Sequence, residues 1–188
     1  MKREAIIYNS AMMNTPKNVI QFIFGVVLFA MAGGEYALLT CAMAASGLGI
    51  GLSAIYLFND LTDLEEDKGN KIKIRWKAVA NGTMSKEESI LLIKICAVLG
   101  TLLAFLSGFN FFMIYILVIA LNLCYSHPMI RWKNSKSLSV VAIATLQVLK
   151  FSSGWFLFTN SMKGFPILFV LALAIGYTLL FLYYKHNT

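Results

Sequence analysis

Three aspartates recur at helical spacing directly after an apolar run. Asp60, Asp63 and Asp67 stand at positions i, i+3 and i+7, so on a continuing helix they share one face. Like charges on one helical face repel each other unless a cation compensates them. Mg²⁺ takes oxygen ligands and is usually held by a few carboxylates together with phosphate oxygens of a substrate. The spacing therefore predicts a site for Mg²⁺ and a phosphorylated ligand.

The same acidic segment has two other interpretations. It could be a solvated acidic helix end whose charges point into water, and this alternative stays open on the sequence alone. It could also be a calcium loop of the EF-hand type, but the glycine and the terminal glutamate of such a loop are missing at the required offsets.

The composition places this segment in a membrane protein. Of the 188 residues, 59% are hydrophobic and 13% are charged, and the mean hydropathy is +0.71. Soluble domains are about half apolar and about a quarter charged. A chain in lipid must satisfy its backbone polar groups internally, so long apolar runs must form helices. We expect an all-α fold, a polytopic transmembrane helix bundle in which residues 1–188 form one domain. Carboxylates at its surface suit a lipid with a diphosphate head.

Six apolar runs are near the length of a bilayer span, which is about 20 residues. Their approximate bounds are 18–33, 36–58, 90–108, 111–125, 138–158 and 164–184. Lys2 and Arg3, the first run and Ala30-Met31-Ala32 also resemble a cleaved signal peptide. Lys17 directly against the apolar run favours a retained first helix instead.

Basic residues collect in three segments that lie on one side of the membrane under a count of six spans. By the positive-inside rule this side is cytoplasmic, so we expect both termini and both long loops there. This distribution accounts for the net charge of +7 and argues against nucleic-acid binding. The composition is compatible with a bacterial inner membrane. The basic residues of the three segments are Lys2, Arg3 and Lys17; Lys68, Lys71, Lys73, Arg75, Lys77 and Lys86; and Arg131, Lys133 and Lys136.

Two motifs resemble those of the UbiA superfamily of membrane prenyltransferases. Asn59-Asp60-x-x-Asp63-x-x-x-Asp67 matches the N-D-x-x-D-x-x-x-D motif that members carry at the end of their second helix. The segment YSHPMIRWK at residues 125–133 is similar to the family's tyrosine-serine-x-proline stretch with basic residues after the fourth helix. The resemblance runs from about residue 15 to the C-terminus and corresponds to the N-terminal two-thirds of a usual member.

The resemblance implies a magnesium-dependent enzyme that transfers a prenyl group from a prenyl diphosphate to an aromatic or lipid acceptor. In that family an Asp-rich motif and its Mg²⁺ hold the prenyl diphosphate, and basic residues neutralise the leaving diphosphate. Carried over, Asp60, Asp63 and Asp67 would bind Mg²⁺ and, with Asn59, form the catalytic motif. The expected substrate-binding residues are Arg75, Lys77, Tyr125, Arg131 and Lys133.

The chain departs from the family pattern in two respects. Where members carry an arginine–proline pair five residues before a glycine, this chain has Lys77-Ala78 before Gly82, and Arg75-Trp76 lies two residues earlier. The sequence also holds no second Asp-rich motif. We therefore expect a second subunit or a second copy to complete the site, a truncated product, or a degenerate protein that binds prenyl diphosphate without turnover. A small cation transporter is a weaker alternative, because its ion site would lie nearer the midplane.

Two polar or small-residue patterns lie within the spans themselves. Gly47 and Gly51 form a G-x-x-x-G pattern, which lets helix backbones approach closely. Lys150 lies near the middle of the fifth span, one turn after Gln147. An ionisable residue at that depth is costly and usually faces a cavity or a partner. Lys150 therefore indicates either a functional cavity or a polar contact between helices.

Overall fold

The computed structural model describes residues 10–187, without the side chains of residues 10–13, 73 and 184–187. The described residues form α-helices, 3₁₀ turns and loops, with no strand among them. The predicted all-α class is confirmed. The α-helices are α1 (Ser10–Met31), α2 (Leu38–Thr62), α3 (Leu64–Lys68), α4 (Lys86–Ser107), α5 (Phe109–Ser126), α6 (Lys136–Trp155) and α7 (Ile167–Asn187).

All of these helices except α3 correspond to the predicted spans. α2, α4, α5 and α6 are each long and apolar enough to cross a membrane, and α7 contains a shorter apolar stretch, Ile167–Tyr183. The count of six spans and the cytoplasmic side of the termini remain predictions, and Lys2 and Arg3 lie outside the described residues.

The first helix is longer than its apolar run. α1 has 22 residues and begins at Ser10, whereas α5, with 18 residues, is the shortest of the six long helices. Hydropathy marks only the apolar part of a helix. Polar residues such as Asn14 and Lys17 continue the helix beyond that part, because the backbone hydrogen bonds do not depend on side-chain polarity.

Glycine contacts bring the central helices close together. A Cβ on Gly100 of α4 would lie 2.6 Å from the Gly51 nitrogen and 3.1 Å from the Gly47 carbonyl oxygen of α2. The G-x-x-x-G pattern is therefore a packing surface, as predicted. Around this contact, Leu48 and Tyr115 belong to a core of buried apolar side chains from α1, α2, α4, α5 and α6.

Large apolar side chains remain exposed on the outer faces of the bundle. On α4, Val98 is 67% exposed and Phe105 is 61% exposed, and on α7 Leu168 is 81% exposed. Apolar surface of this extent is uncommon on soluble monomers. It is what a bundle surrounded by lipid presents.

The crossing of α1 and α6 depends on Gly154. A Cβ there would lie 2.1 Å from the Phe22 carbonyl oxygen and 2.6 Å from the Val26 nitrogen. We expect Gly154→Ala to lower the free energy of unfolding by about 1–3 kcal/mol, because the helices must move apart. In the matched control Gly176→Ala, no atom lies within 4 Å of the added Cβ. The control should be neutral or more stable by up to about 1 kcal/mol, since alanine favours helices over glycine. Thermal unfolding in detergent measures both, and equal effects would contradict the close crossing.

Candidate functional site

The acidic segment bends at Asp63 instead of forming one continuous helix. α2 ends at Thr62 and α3 begins at Leu64, with Asp63 at φ −103° and ψ 8° between them. The Asp63 nitrogen still donates to the Asn59 carbonyl at 3.0 Å, and the Asp67 nitrogen donates to the Asp63 carbonyl at 2.8 Å. The expectation of a continuing helix is thereby corrected. Leu64 is buried in a small second core, which holds α3 against the end of α2.

Asp60 and Asp67 share one cation. Their residues are 3% and 1% exposed. The Lys77 Nζ lies 2.5 Å from Asp60 Oδ1 and 3.1 Å from Asp67 Oδ2. Burial alone would lower the pKa of Lys77, but the two carboxylates outweigh it and raise the pKa above its ordinary value. The Lys77 ammonium group is therefore shared by two buried carboxylates.

The loop between α3 and α4 fixes Lys77 in this position. Ala78 and Val79, which follow it directly, are buried with Met84 in the second core. The Met84 nitrogen donates to the Ala78 carbonyl at 3.0 Å, and Gly82 closes the turn at φ 76°. A positive φ of this size favours glycine. The packing of its two neighbours thus directs Lys77 to the aspartates.

Asp63 has a separate set of cationic partners. The Lys133 Nζ lies 2.5 Å from both Asp63 carboxylate oxygens and donates to Asn59 Oδ1 at 3.1 Å. Arg131 Nη2 donates to Asp63 Oδ1 at 3.0 Å. Its Nε atom is buried and has no hydrogen-bond partner among the described residues. In the group around Asp63, Arg131 Nε is therefore a hydrogen-bond donor that is not used.

Arg131 adopts a backbone conformation that is unusual for its residue type. Its φ of 45° and ψ of 50° lie in the left-handed region, and within residues 10–187 it is the one non-glycine residue with positive φ. Such conformations cost about 1–3 kcal/mol and cluster at functional sites. Here the conformation joins the turn after α5 to the 3₁₀ turn Trp132–Asn134, so that Arg131 and Lys133 both reach Asp63.

A cavity of about 490 Å³ lies inside the bundle next to this cluster. Its walls come from α1, α2, α5, α6 and α7. Asn59 and Tyr125, at the ends of α2 and α5, line it beside the aspartates. Gln147 and Lys150 line it farther along α6. The charged cluster adjoins the cavity through Asn59, which lines it and accepts from Lys133, and we call this end of the cavity its mouth.

The structure brings most of the predicted site residues together. Asn59, Asp63, Arg131 and Lys133 form one contact group, and Asp60, Asp67 and Lys77 form the other. Tyr125 lines the adjoining cavity. Arg75 does not join them: it lies exposed in the 3₁₀ turn Lys73–Arg75 and forms no ion pair with the described residues.

Sequence reasoning missed the polar residues that α1 and α2 contribute to the cavity. These are Asn18, Gln21 and Tyr56. A signal was present, because Asn18 and Gln21 are polar residues three positions apart within the first apolar run. Lys150 was singled out, and the structure shows that it faces both a cavity and a polar helix contact with Asn18.

The donor set at the mouth suits Mg²⁺ that is bound together with a phosphate group. No three His, Cys, Asp or Glu side chains of the described residues converge on a metal position. Mg²⁺ seldom needs such a cage, since it is commonly bound by one or two carboxylates, water and phosphate oxygens. Asp60, Asp63, Asp67 and the Asn59 amide offer oxygen ligands in two neighbouring groups. They therefore fit a magnesium–diphosphate complex better than a solitary ion.

Comparison with known proteins identifies the family. Residues 18–187 match the UbiA prenyltransferase family. A relative, the uncharacterized protein y4nM of Sinorhizobium fredii (strain NBRC 101917 / NGR234), is 30% identical over 164 residues, covering 85% of this chain and 31% of that protein. The chain thus spans about a third of the length of this curated relative.

Two solved structures share the fold. A UbiA homologue from Archaeoglobus fulgidus bound to DMAPP and Mg²⁺ superposes with a TM-score of 0.68 at 18% identity, over 84% of this chain and 56% of that chain. The homologue from the same organism bound to GPP and Mg²⁺ gives 0.67 at 18% identity, over 88% and 60%. With apolar helices long enough to cross a membrane and the family match over residues 18–187, the chain is an integral membrane protein that belongs to the UbiA prenyltransferase family.

Proposed function

We propose that this chain transfers a prenyl group from a prenyl diphosphate to an aromatic or lipid acceptor, in a reaction that depends on Mg²⁺. The observation that supports this most is the paired arrangement of carboxylates and cations at the mouth of a membrane cavity. Asp60 and Asp67 meet Lys77, and Asp63 meets Arg131 and Lys133. Each acidic side chain is a candidate magnesium ligand, and each basic one is a candidate phosphate ligand.

A magnesium–diphosphate complex would exchange partners with these ion pairs. The carboxylates would turn to the metal, and Lys77, Arg131 and Lys133 would turn to the phosphate oxygens. No charge is left buried and unpaired in either state, which matters because an uncompensated buried charge is strongly destabilising. The Arg131 Nε, buried without a partner among the described residues, is a donor ready for a phosphate oxygen.

The charged residues at the mouth and the apolar residues of the cavity wall have different roles in this reaction. The bound metal supplies Lewis-acid stabilisation of the diphosphate leaving group. Lys77, Arg131 and Lys133 bind the departing diphosphate as the bond between the prenyl carbon and oxygen breaks. The acceptor forms the new bond to that carbon and loses a proton. Apolar wall residues, among them Ile55, Ile143 and Leu146, keep water from the electrophilic carbon.

The site would face the cytoplasm and could include residues of a second subunit. The charged cluster is built from the end of α2 and from the loops that follow α3 and α5, and these loops are two of the three basic segments of the chain. The positive-inside rule supports a cytoplasmic site, and we propose a bacterial inner membrane. Residues 1–188 would act as one transmembrane domain, with a second copy or another subunit supplying any further acidic ligands.

A transfer assay tests the proposal. The purified chain in nanodiscs receives labelled geranyl diphosphate and a membrane extract as acceptor source, with Mg²⁺ or with EDTA. We expect a labelled lipophilic product in the sample with Mg²⁺ and none in the sample with EDTA. Asp60→Asn should lower its rate at least about 100-fold, because it removes a buried charge from the site. Donor binding without product would support the alternative of a half-site that binds without turnover. Neither binding nor product would refute the proposal.

A further inference from the structure

The loop between α3 and α4 contains an exposed segment that has no part in the cluster of aspartates. Residues 71–76 have the sequence KIKIRW, and we call them the amphipathic segment. Ile72 is 73% exposed and Trp76 is 43% exposed, and Lys71 and Arg75 are exposed beside them. A single exposed apolar side chain is common on a protein surface. Large apolar side chains that alternate with basic ones are instead typical of segments that lie at a membrane surface.

Backbone hydrogen bonds wind the amphipathic segment into a compact turn. The Ile74 nitrogen donates to the Asn70 carbonyl at 3.0 Å, and the Arg75 nitrogen donates to the Ile72 carbonyl at 3.2 Å. The Ile72 nitrogen also donates to Asn70 Oδ1 at 3.0 Å. A turn closed in this way keeps residues three or four positions apart near each other. The apolar and basic side chains of the segment therefore form one surface patch.

The second core holds this patch at the ends of two membrane helices. Ala78 is buried in that core with Leu57 of α2, and Leu92 of α4 packs against it. Both helices are long and apolar enough to cross a membrane. Trp76 precedes Ala78 by two residues, so their Cα atoms lie at most about 7 Å apart. The patch is therefore at the level where α2 and α4 enter the lipid.

The basic side chains of the patch are not neutralised by the acidic residues near them. Lys68, which precedes the segment, pairs with Glu65 at 3.0 Å, and Lys77, which follows it, pairs with two aspartates of the site. Between them, Lys71 and Arg75 form no ion pair within the described part of the chain. Positive charge of this kind attracts anionic lipid headgroups, by about fivefold for each basic residue near the bilayer surface.

We infer that the amphipathic segment docks on the surface of the bilayer and binds anionic lipids. Ile72 and Trp76 enter the interfacial region of the nearer leaflet, and Lys71 and Arg75 contact the phosphate groups of its lipids. Tryptophan is enriched at membrane–water interfaces, and long basic side chains extend from there to the headgroups. Docking holds the start of the loop that carries Lys77, the residue directly after Trp76. The inference does not rest on the proposed function.

A bilayer surface fits the patch better than a protein partner does. Because the chain is an integral membrane protein, lipid headgroups surround the ends of its helices at all times. This proximity acts as a high effective concentration, so that a small patch suffices for binding. The neighbouring loop, which Arg131 joins to Asp63, presents Met129 at 90% and Ile130 at 51% exposure. This end of the bundle thus offers further apolar side chains to the same interface.

Quenching of tryptophan emission by brominated lipids tests the docking. The chain is placed in nanodiscs of phosphatidylcholine, alone or mixed with phosphatidylglycerol, with bromine in the upper part of the acyl chains. Its three tryptophans are Trp76, Trp132 and Trp155. Trp76→Phe keeps the other two, so its difference from the unaltered chain isolates the emission of Trp76. We expect bromine to quench this emission at least about twofold more in the anionic nanodiscs than in the neutral ones, because the basic residues bind the anionic surface.

Lys71→Gln and Arg75→Gln should each weaken the docking about fivefold, because each removes one charge next to the anionic surface. Quenching of Trp76 should then fall toward its value in neutral nanodiscs, with each variant compared with its own Trp76→Phe form. The matched control is Lys163→Gln, which removes an exposed lysine from the turn between α6 and α7, at the other end of the bundle. Its Trp76 emission should be quenched as in the unaltered chain. All three variants should keep the melting temperature of the unaltered chain, which shows that they are folded.

Two kinds of result would overturn the inference. If bromine does not quench Trp76 in either nanodisc, the segment does not enter the bilayer, and quenching by aqueous iodide would then show that it faces water. If bromine quenches Trp76 equally in neutral and anionic nanodiscs, or equally with and without Lys71 and Arg75, the segment does not bind anionic lipids.

Discussion

Asp63→Asn will lower the affinity of the chain for geranyl diphosphate in Mg²⁺ by at least about 100-fold, because it removes a predicted magnesium ligand from a partly buried charge group. Asp63 is the partner that Lys133 contacts at 2.5 Å and Arg131 at 3.0 Å, and it is a predicted magnesium ligand. The substitution keeps the shape of the side chain and removes its charge. Equilibrium binding of labelled donor to the chain in nanodiscs measures the effect.

The matched control for this variant is Glu65→Gln. Glu65 belongs to the same acidic segment, but its side chain is 80% exposed and pairs with the exposed Lys68 at 3.0 Å. Surface pairs of this kind contribute little, about 0–1 kcal/mol. Donor affinity should therefore stay within about threefold of the unaltered chain. Equal losses in both variants would mean that the general negative charge of the segment matters, and not the position of Asp63.

Lys77→Met will lower the free energy of unfolding by about 3–5 kcal/mol, because it breaks two ion pairs to buried carboxylates, those of Asp60 and Asp67. Mg²⁺ should restore part of this loss, since a metal ion that binds the native state stabilises it by mass action. Thermal unfolding in detergent, with Mg²⁺ or with EDTA, measures both effects. Magnesium should raise the melting temperature of the variant more than that of the unaltered chain.

The pH dependence of the Lys77 effect has a defined sign. The carboxylates raise the pKa of Lys77 above its ordinary value of 10.5. Its contribution to stability is therefore fully present below pH 10.5 and is lost as the pH rises through the higher, native-state pKa. As the pH rises through that pKa, the difference in free energy of unfolding between Lys77→Met and the unaltered chain should shrink. The control Lys68→Met, which removes an exposed lysine, should have the melting temperature of the unaltered chain at every pH. A loss of stability as large as that of Lys77→Met would contradict the role of Lys77.

Much of the helical architecture could be predicted from hydropathy alone. Apolar runs in lipid have few alternatives to helices, so the long helices α2, α4, α5, α6 and α7 lie close to the predicted spans. The Asn59 to Asp67 motif and the basic residues after α5 could also be recognised, because their spacing is local. The Gly47–Gly51 surface was predictable for the same reason.

Other features depend on contacts between distant parts of the chain. Lys77, and not Arg75, joins the cluster because Ala78 and Val79 pack in the second core. The bend at Asp63 accompanies the burial of Leu64 in that core, and spacing along a regular helix cannot indicate it. These contacts are decided by tertiary packing, which overrides a regular local pattern.

The polar cavity is the least predictable part of the site. Asn18 and Lys150 are 132 positions apart, and only the crossing of α1 and α6 brings them together. Each residue looks like an isolated polar substitution in an apolar helix. Their combination becomes visible only in the folded bundle.

The central claim is that the aspartate cluster binds a prenyl diphosphate through Mg²⁺. The most direct measurement is retention of labelled geranyl diphosphate by the unaltered chain in nanodiscs as Mg²⁺ is titrated, with inorganic pyrophosphate as competitor. We expect saturable retention of geranyl diphosphate that rises with Mg²⁺, disappears in EDTA and is displaced by pyrophosphate. Retention that is equal in EDTA, or no retention at any concentration of Mg²⁺, would contradict it.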